Sequence, residues 1–146
     1  MMPTRISDPI LGDDGKVFGT DDRAAGIFTT VFGPTEDQVL VMVDVIDGDV
    51  PQDQRDLYRE VEAWYPQAVH DIHNAILSKV KEDPAATEFT SLEEIQNRLQ
   101  LMAIDIRYPF HPPAKCVLEY KFDPNAPKWF VRIGEDFHVE WCGLGD

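Results

Sequence analysis

A chain of 146 residues with 43% apolar side chains is the size of one domain and too apolar to stay disordered. Its 13 basic and 27 acidic side chains leave a net charge of −14, which repels phosphate backbones and anionic headgroups and weighs against nucleic-acid or membrane-surface binding. Two cysteines are too few for a secreted disulfide framework, and the longest wholly apolar run, Val39 to Val43, falls far short of the roughly 20 residues of a membrane helix.

The first residues also lack the apolar run of a signal peptide. The expectation is therefore one cytoplasmic domain over residues 1–146. Residues 1–50 carry 3 basic and 10 acidic groups, a net of −7, so the negative field is strongest near the N-terminus. Such a field steers basic partners toward the chain.

Three blocks follow one another. Asp13-Asp14-Gly15 reads as a tight turn, because Gly accepts positive φ. Lys16 to Thr20 and Ile27 to Phe32 are β-branched and aromatic, as strands prefer, and Gly33-Pro34-Thr35-Glu36-Asp37 breaks the pattern. Gln38 to Ile46 reads as a strand with Val39, Val41, Val43 and Val45 on one face and Leu40, Met42 and Ile46 on the other. Apolar residues on both faces predict a central strand covered on both sides.

The second block is helical. Asp49 and Pro51 suit its start, and Leu57, Val61 and Trp64 follow at helical spacing. Pro66 predicts a kink or a new helix, since its ring crowds the preceding turn. Val69, Ile72, Ile76, Leu77 and Val80 then form an amphipathic stripe that Asp83-Pro84 ends. A shorter helix opens at Thr90 or Ser91, each offering a capping box, with Leu92, Ile95 and Leu99 on its buried side.

The third block returns to strands. Ile104, Ile106 and Tyr108 alternate with polar residues until the prolines at 109, 112 and 113. Lys115 to Phe122, Trp129 to Ile133 and Phe137 to Cys142 follow. A three-residue loop at Gly134-Glu135-Asp136 would set Ile133 opposite Phe137, Val131 opposite Val139 and Trp129 opposite Trp141, making every inward pair apolar. Across the earlier loop, Phe122 would face Trp129 and Glu119 would face Arg132. Cys116 and Cys142 then fall on opposite faces, which predicts two free thiols.

This register gathers Glu119, Arg132, His138 and Glu140 on the outer face. A His between carboxylates is the arrangement of a general base, although a solvated face of cross-strand charge pairs has the same sequence signature. His70 and His73 stand three apart without a third zinc ligand, so no metal is expected. The acidic turns at residues 13–15 and 47–49 lack the alternating oxygen ligands of a calcium loop. Neither a phosphate loop nor a nucleophile elbow occurs, and no cofactor is expected. Trp64, Trp129 and Trp141 read as packing residues. One that stands exposed beside acidic groups becomes a hot-spot candidate for a protein partner.

The opening Ile6-Ser7-Asp8-Pro9-Ile10-Leu11-Gly12 resembles the Asp-Pro-hydrophobic-hydrophobic-Gly start of a group of small acidic bacterial domains of unknown function. In that group a strand meander precedes two or three helices. A helix then runs into a strand, as from Ser91 through Leu101 to Ile106, and a strand pair closes the chain. Some of its members are thought to be immunity proteins for polymorphic toxins. The closing hairpin differs, with Lys128-Trp129-Phe130-Val131 where relatives often show an aromatic-aromatic-Gly-His pattern. The resemblance implies a binding role and carries over no catalytic residue.

Together these readings predict an α+β fold: a largely antiparallel sheet from the N- and C-terminal strand blocks, with a central block of two to three helices on one face. They predict a non-enzymatic domain binding a protein partner, in particular a basic one. A small hydrolase or isomerase using His138 with Glu140 or Glu119 is the alternative, and a homo-oligomeric module is a third reading.

Overall fold

The computed structural model describes residues 4–19, 23–82, 91–107 and 113–145. Strands β1 (Thr4–Asp8), β2 (Gly12–Phe18), β3 (Arg23–Phe32) and β4 (Asp37–Ile46) form an antiparallel meander. Helix α1 (Gln52–Glu82) and helix α2 (Leu92–Arg98) follow. A second meander, β5 (Gln100–Asp105), β6 (Cys116–Lys121), β7 (Lys128–Ile133) and β8 (Val139–Gly145), completes an eight-stranded sheet in sequential order. Residues placed by the sequence at Thr20, Asp83-Pro84, Thr90 and Tyr108-Pro109 lie outside the described set.

The expected fold needs correction on two counts. The sheet is mixed, because β4 and β5 pair in parallel through Leu40–Ala103, Val41–Ile104 and Met42–Asp105. The helical block, expected as two to three helices with a kink or restart at Pro66, is one 31-residue helix followed by one short helix. The two corrections share a cause. Parallel neighbours need a crossover of a dozen or more residues, and α1 supplies it as one long span.

Helix α1 runs unbroken through Pro66, against the expected kink or restart. Its inward residues keep one stripe on either side of the proline: Tyr58, Val61 and Tyr65 before it, Ala68, Ile72, Ile76 and Val80 after it. Each fully buried Val or Ile contributes about 1.5–3 kcal/mol, so this continuous burial offsets the hydrogen bond that Pro66 cannot make. Ser91 caps α2 as expected, its hydroxyl accepting from the Glu94 N–H at 3.3 Å.

The core lies between the helices and one sheet face. Val39, Val41, Val43 and Val45 all point into it, as the alternation requires. Phe32 meets Tyr58 and Tyr65 edge-on at ring separations of 6.3 and 5.2 Å. The other face of β4 is not covered: Leu40 is 45% exposed. Both helices lie on one side, so β4 is central in the sheet yet roofed only once.

Two turns differ from expectation. Asp13-Asp14-Gly15 lies inside β2, and the first turn falls at residues 9–11. Gly15 faces Phe28, whose ring occupies the space a Cβ would need, so close packing rather than positive φ demands glycine there. The turn itself is held by the Asp8 carboxylate, which accepts from the Ile10 and Leu11 N–H groups at 2.9 and 3.0 Å and from Arg55 of α1 at 2.6 Å. The Asp-Pro-hydrophobic-hydrophobic-Gly run is thus a hairpin turn tied to the helix.

The last hairpin also departs from the expected register. Its turn spans Gly134 to His138, with Phe137 at φ 62°, and a bulge follows Val139. Ile133 pairs with Val139, Arg132 with Trp141, and Val131 with Cys142. The extra residue exchanges the faces of β8 beyond it. Trp141 therefore stands outward and Cys142 turns inward, while Trp129 of β7 stays in the core as expected. Both thiols are free and buried. They lie on the same side of the sheet, so the expected separation by face is not what keeps them unbonded. Each has its own surroundings, and Cys142 Sγ donates to the Ala75 carbonyl of α1 at 3.4 Å.

No helix among the described residues is long and apolar enough to cross a membrane.

Candidate functional site

The expected cluster of Glu119, Arg132, His138 and Glu140 does not form one group. Glu119 lies opposite Phe130, not Arg132, and its carboxylate meets Lys128 Nζ at 3.3 Å. Arg132 Nε donates to Glu140 Oε1 at 2.9 Å. His138 is 82% exposed at its side chain, and its ring lies 3.5 Å from the Asp136 carboxylate. The β6–β7 register is offset by two residues and β8 carries the bulge. Together these put His138 at the turn and separate it from both partners expected for it.

His138 instead borders a groove of about 530 Å³ between α1 and the last turn, where Trp64 and Phe137 meet at 5.3 Å. His70 is exposed and His73 buried, so the two do not present one metal-binding face. No group of three metal-ligating side chains occurs among the described residues.

The sheet face opposite the helices has a different character. The large apolar side chains exposed among the described residues are Phe18, Val31, Leu40, Ile46, Met102 and Trp141, at 39–60% exposure. The strand registers place every one on this face. Phe18 lies opposite Ala25, Val31 opposite Gln38, Leu40 opposite Thr29, Ile46 opposite Arg23 and Trp141 opposite Arg132. Met102 occupies the β5 bulge beside Ala103. A shallow trough of about 460 Å³ runs across the middle strands over Leu40, Met42 and Met102. Single exposed apolar residues are ordinary, whereas a set gathered on one face marks an interaction surface.

Glycines flatten the far end of this face. A Cβ on Gly145 would collide with the Phe130 ring, and one on Gly143 would lie 2.7 Å from the Trp141 indole. Both rings therefore lie down over β8 and form a smooth aromatic floor.

Charge on this face is nearly balanced. Arg5, Lys16, Lys121, Lys128 and Arg132 stand there with Asp14, Asp105, Glu119 and Glu140, in a chain of net charge −14. Several of these charges pair among themselves, as Glu119 does with Lys128 and Glu140 with Arg132 at 2.9 Å, and Asp105 pairs with Arg107 just beyond β5 at 2.8 Å. Around the face, the turns at residues 33–36, 47–51, 122–127 and 134–138 carry Glu36, Asp47, Asp49, Asp123, Glu135 and Asp136 and no Lys or Arg, whereas the β5–β6 connection carries Arg107 and Lys115. The result is an apolar, nearly charge-balanced floor inside a mainly acidic frame.

Sequence reasoning missed this face because β4 read as covered on both sides and the β8 bulge was not visible. One signal was available. Helices confined to the middle of the chain, joining strands that pair in order, leave one face of a large sheet without a cover.

No family model, no curated protein and no solved structure matches the chain.

Proposed function

We propose that the chain is a cytoplasmic protein-binding domain that docks a basic protein partner on the open face of its sheet. The observation that carries this reading is the gathering of Phe18, Val31, Leu40, Ile46, Met102 and Trp141 on that one face. Protein interfaces combine an apolar centre containing aromatic and Met side chains with a polar rim, and this face has both parts. Its acidic frame selects a partner whose own rim is basic and speeds encounter. An immunity protein neutralising a basic toxin is a role of this kind.

A second copy of the chain fits less well, because face-to-face packing would bring two acidic frames together. Light scattering separates the two occupants. A monomer at micromolar concentration fits the basic partner, and a dimer abolished by Leu40→Glu fits the second copy.

The test is binding of the basic products of neighbouring genes to the wild-type chain and to a Leu40→Glu/Met102→Glu variant. The reading expects salt-sensitive binding that the variant loses while keeping its fold. Binding that survives both the variant and high salt would count against it.

A further inference from the structure

On the helix side, away from the docking face, a pocket of about 220 Å³ opens beside Pro66 and the β3–β4 turn. Its volume is several times the roughly 30 Å³ share of one water molecule. Tyr65, His73 and Tyr120 form its buried polar lining, Thr35, Asp37, Gln96 and Gln100 add further polar groups, and Val69, Leu99 and Leu101 make its apolar walls.

Those three polar side chains are buried: Tyr65 is 4% exposed, His73 8% and Tyr120 1%. The two tyrosine hydroxyls hydrogen-bond each other at 2.6 Å. One hydrogen serves that bond, and the other hydroxyl hydrogen remains to be donated. The His73 ring stands edge-on to Tyr120 at 6.2 Å and makes no hydrogen bond to another described residue. His73 stands in the pocket wall with ring nitrogens that no described side chain engages, so they are open to a ligand.

Burial, with a smaller contribution from His70, holds the His73 pKa below its ordinary 6.5, so the ring is neutral at neutral pH. A neutral imidazole offers one donor and one acceptor. No Lys or Arg lines the pocket, and Asp37 is its one carboxylate among the described residues. Nothing there neutralises an anion.

We propose that this pocket binds a small uncharged ligand bearing a carboxamide, its carbonyl accepting from a tyrosine hydroxyl, its NH2 donating to His73, and its apolar body against Leu99 and Leu101. A carboxamide presents an acceptor and a donor side by side, which is the complement of what the pocket leaves unused. The site stands independently of the docking face.

The test is NMR titration of the full chain, following the His73 ring protons, with benzamide, acetamide and benzoate as probes. Benzamide should give a saturable shift, acetamide a weaker one for want of an apolar body, and benzoate at least a tenfold weaker one. Followed on the Leu99 and Leu101 methyl signals, which both variants keep, Tyr65→Phe/Tyr120→Phe should weaken benzamide about tenfold, and His73→Phe should abolish the saturable binding while the circular dichroism of both variants stays native. Absence of a saturable benzamide shift, equal binding of benzoate, or undiminished binding to a folded Tyr65→Phe/Tyr120→Phe chain would each overturn the proposal. The first of these would leave the pocket as a water site.

Discussion

Removing the Asp8 carboxylate tests how the first hairpin is tied to the helix. The side chain is 1% exposed and accepts three hydrogen bonds, two from the turn to Oδ2 and one from Arg55 Nε to Oδ1. Asp8→Ala strands the buried Leu11 N–H, while Ile10 and the one-fifth-exposed Arg55 regain water. Hydrogen bonds to a charged group are worth about 1.5–3 kcal/mol, and breaking a fully buried ion pair costs about 3–5. Discounting for the hydration open to Arg55 gives about 3 kcal/mol.

Asp8→Asn divides the terms. Its carbonyl oxygen can take the Oδ2 position and keep both turn bonds, with its NH2 group set against Arg55. The expected cost is then about 1–1.5 kcal/mol. Urea unfolding of wild type, both variants and Arg55→Met measures the differences, and Arg55→Met should add little in the Asn background. An Asp8→Ala cost under about 1 kcal/mol, or equal costs for Ala and Asn, would refute the reasoning.

Other outcomes follow from buried groups. The Tyr58 hydroxyl is buried without a partner among the described residues, and burial pushes its pKa up to about 12. Tyr58→Phe should leave stability unchanged or raise it by about 1 kcal/mol, and a loss above that size in thermal melts would reveal a hidden bond. His73, with its lowered pKa, should contribute stability that is complete above 6.5 and lost as pH falls below it, because the unfolded chain takes the proton first. His73→Phe should flatten that part of the stability profile, and an unchanged slope would contradict the assignment. Burial pushes Cys116 up to about 12 and also raises Cys142. Neither thiol should react with a disulfide reagent at pH 8 until the chain unfolds, so rapid labelling of the native protein would count against both placements.

Much of the fold could be read from local pattern. The valines of β4 alternate as strand geometry demands, the α1 stripe recurs at helical spacing, and Ser91 with Glu94 marks the start of α2. The misreadings arose where local chemistry and packing diverge. Pro66 carries a breaker signal, but the buried stripe passes through it. Gly15 looked like a turn residue because the ring it accommodates, Phe28, lies on a neighbouring strand. The β8 bulge had the largest effect. One unpaired residue moved Trp141 outward and Cys142 inward, and hydrophobic alternation alone points to the unbulged register. The expected polar cluster depended on that register and came apart with it, while the docking face depends on tertiary coverage, which local spacing does not encode.

Hydroxyl-radical footprinting of the chain, alone and bound to its basic partner, bears most directly on which surface docks. Met102, Leu40 and Trp141 should oxidise readily in the free protein and become protected in the complex, while Trp64 on the helix side stays unchanged. Protection of Trp64 with Met102 and Trp141 still oxidising would place the partner on the other side of the molecule.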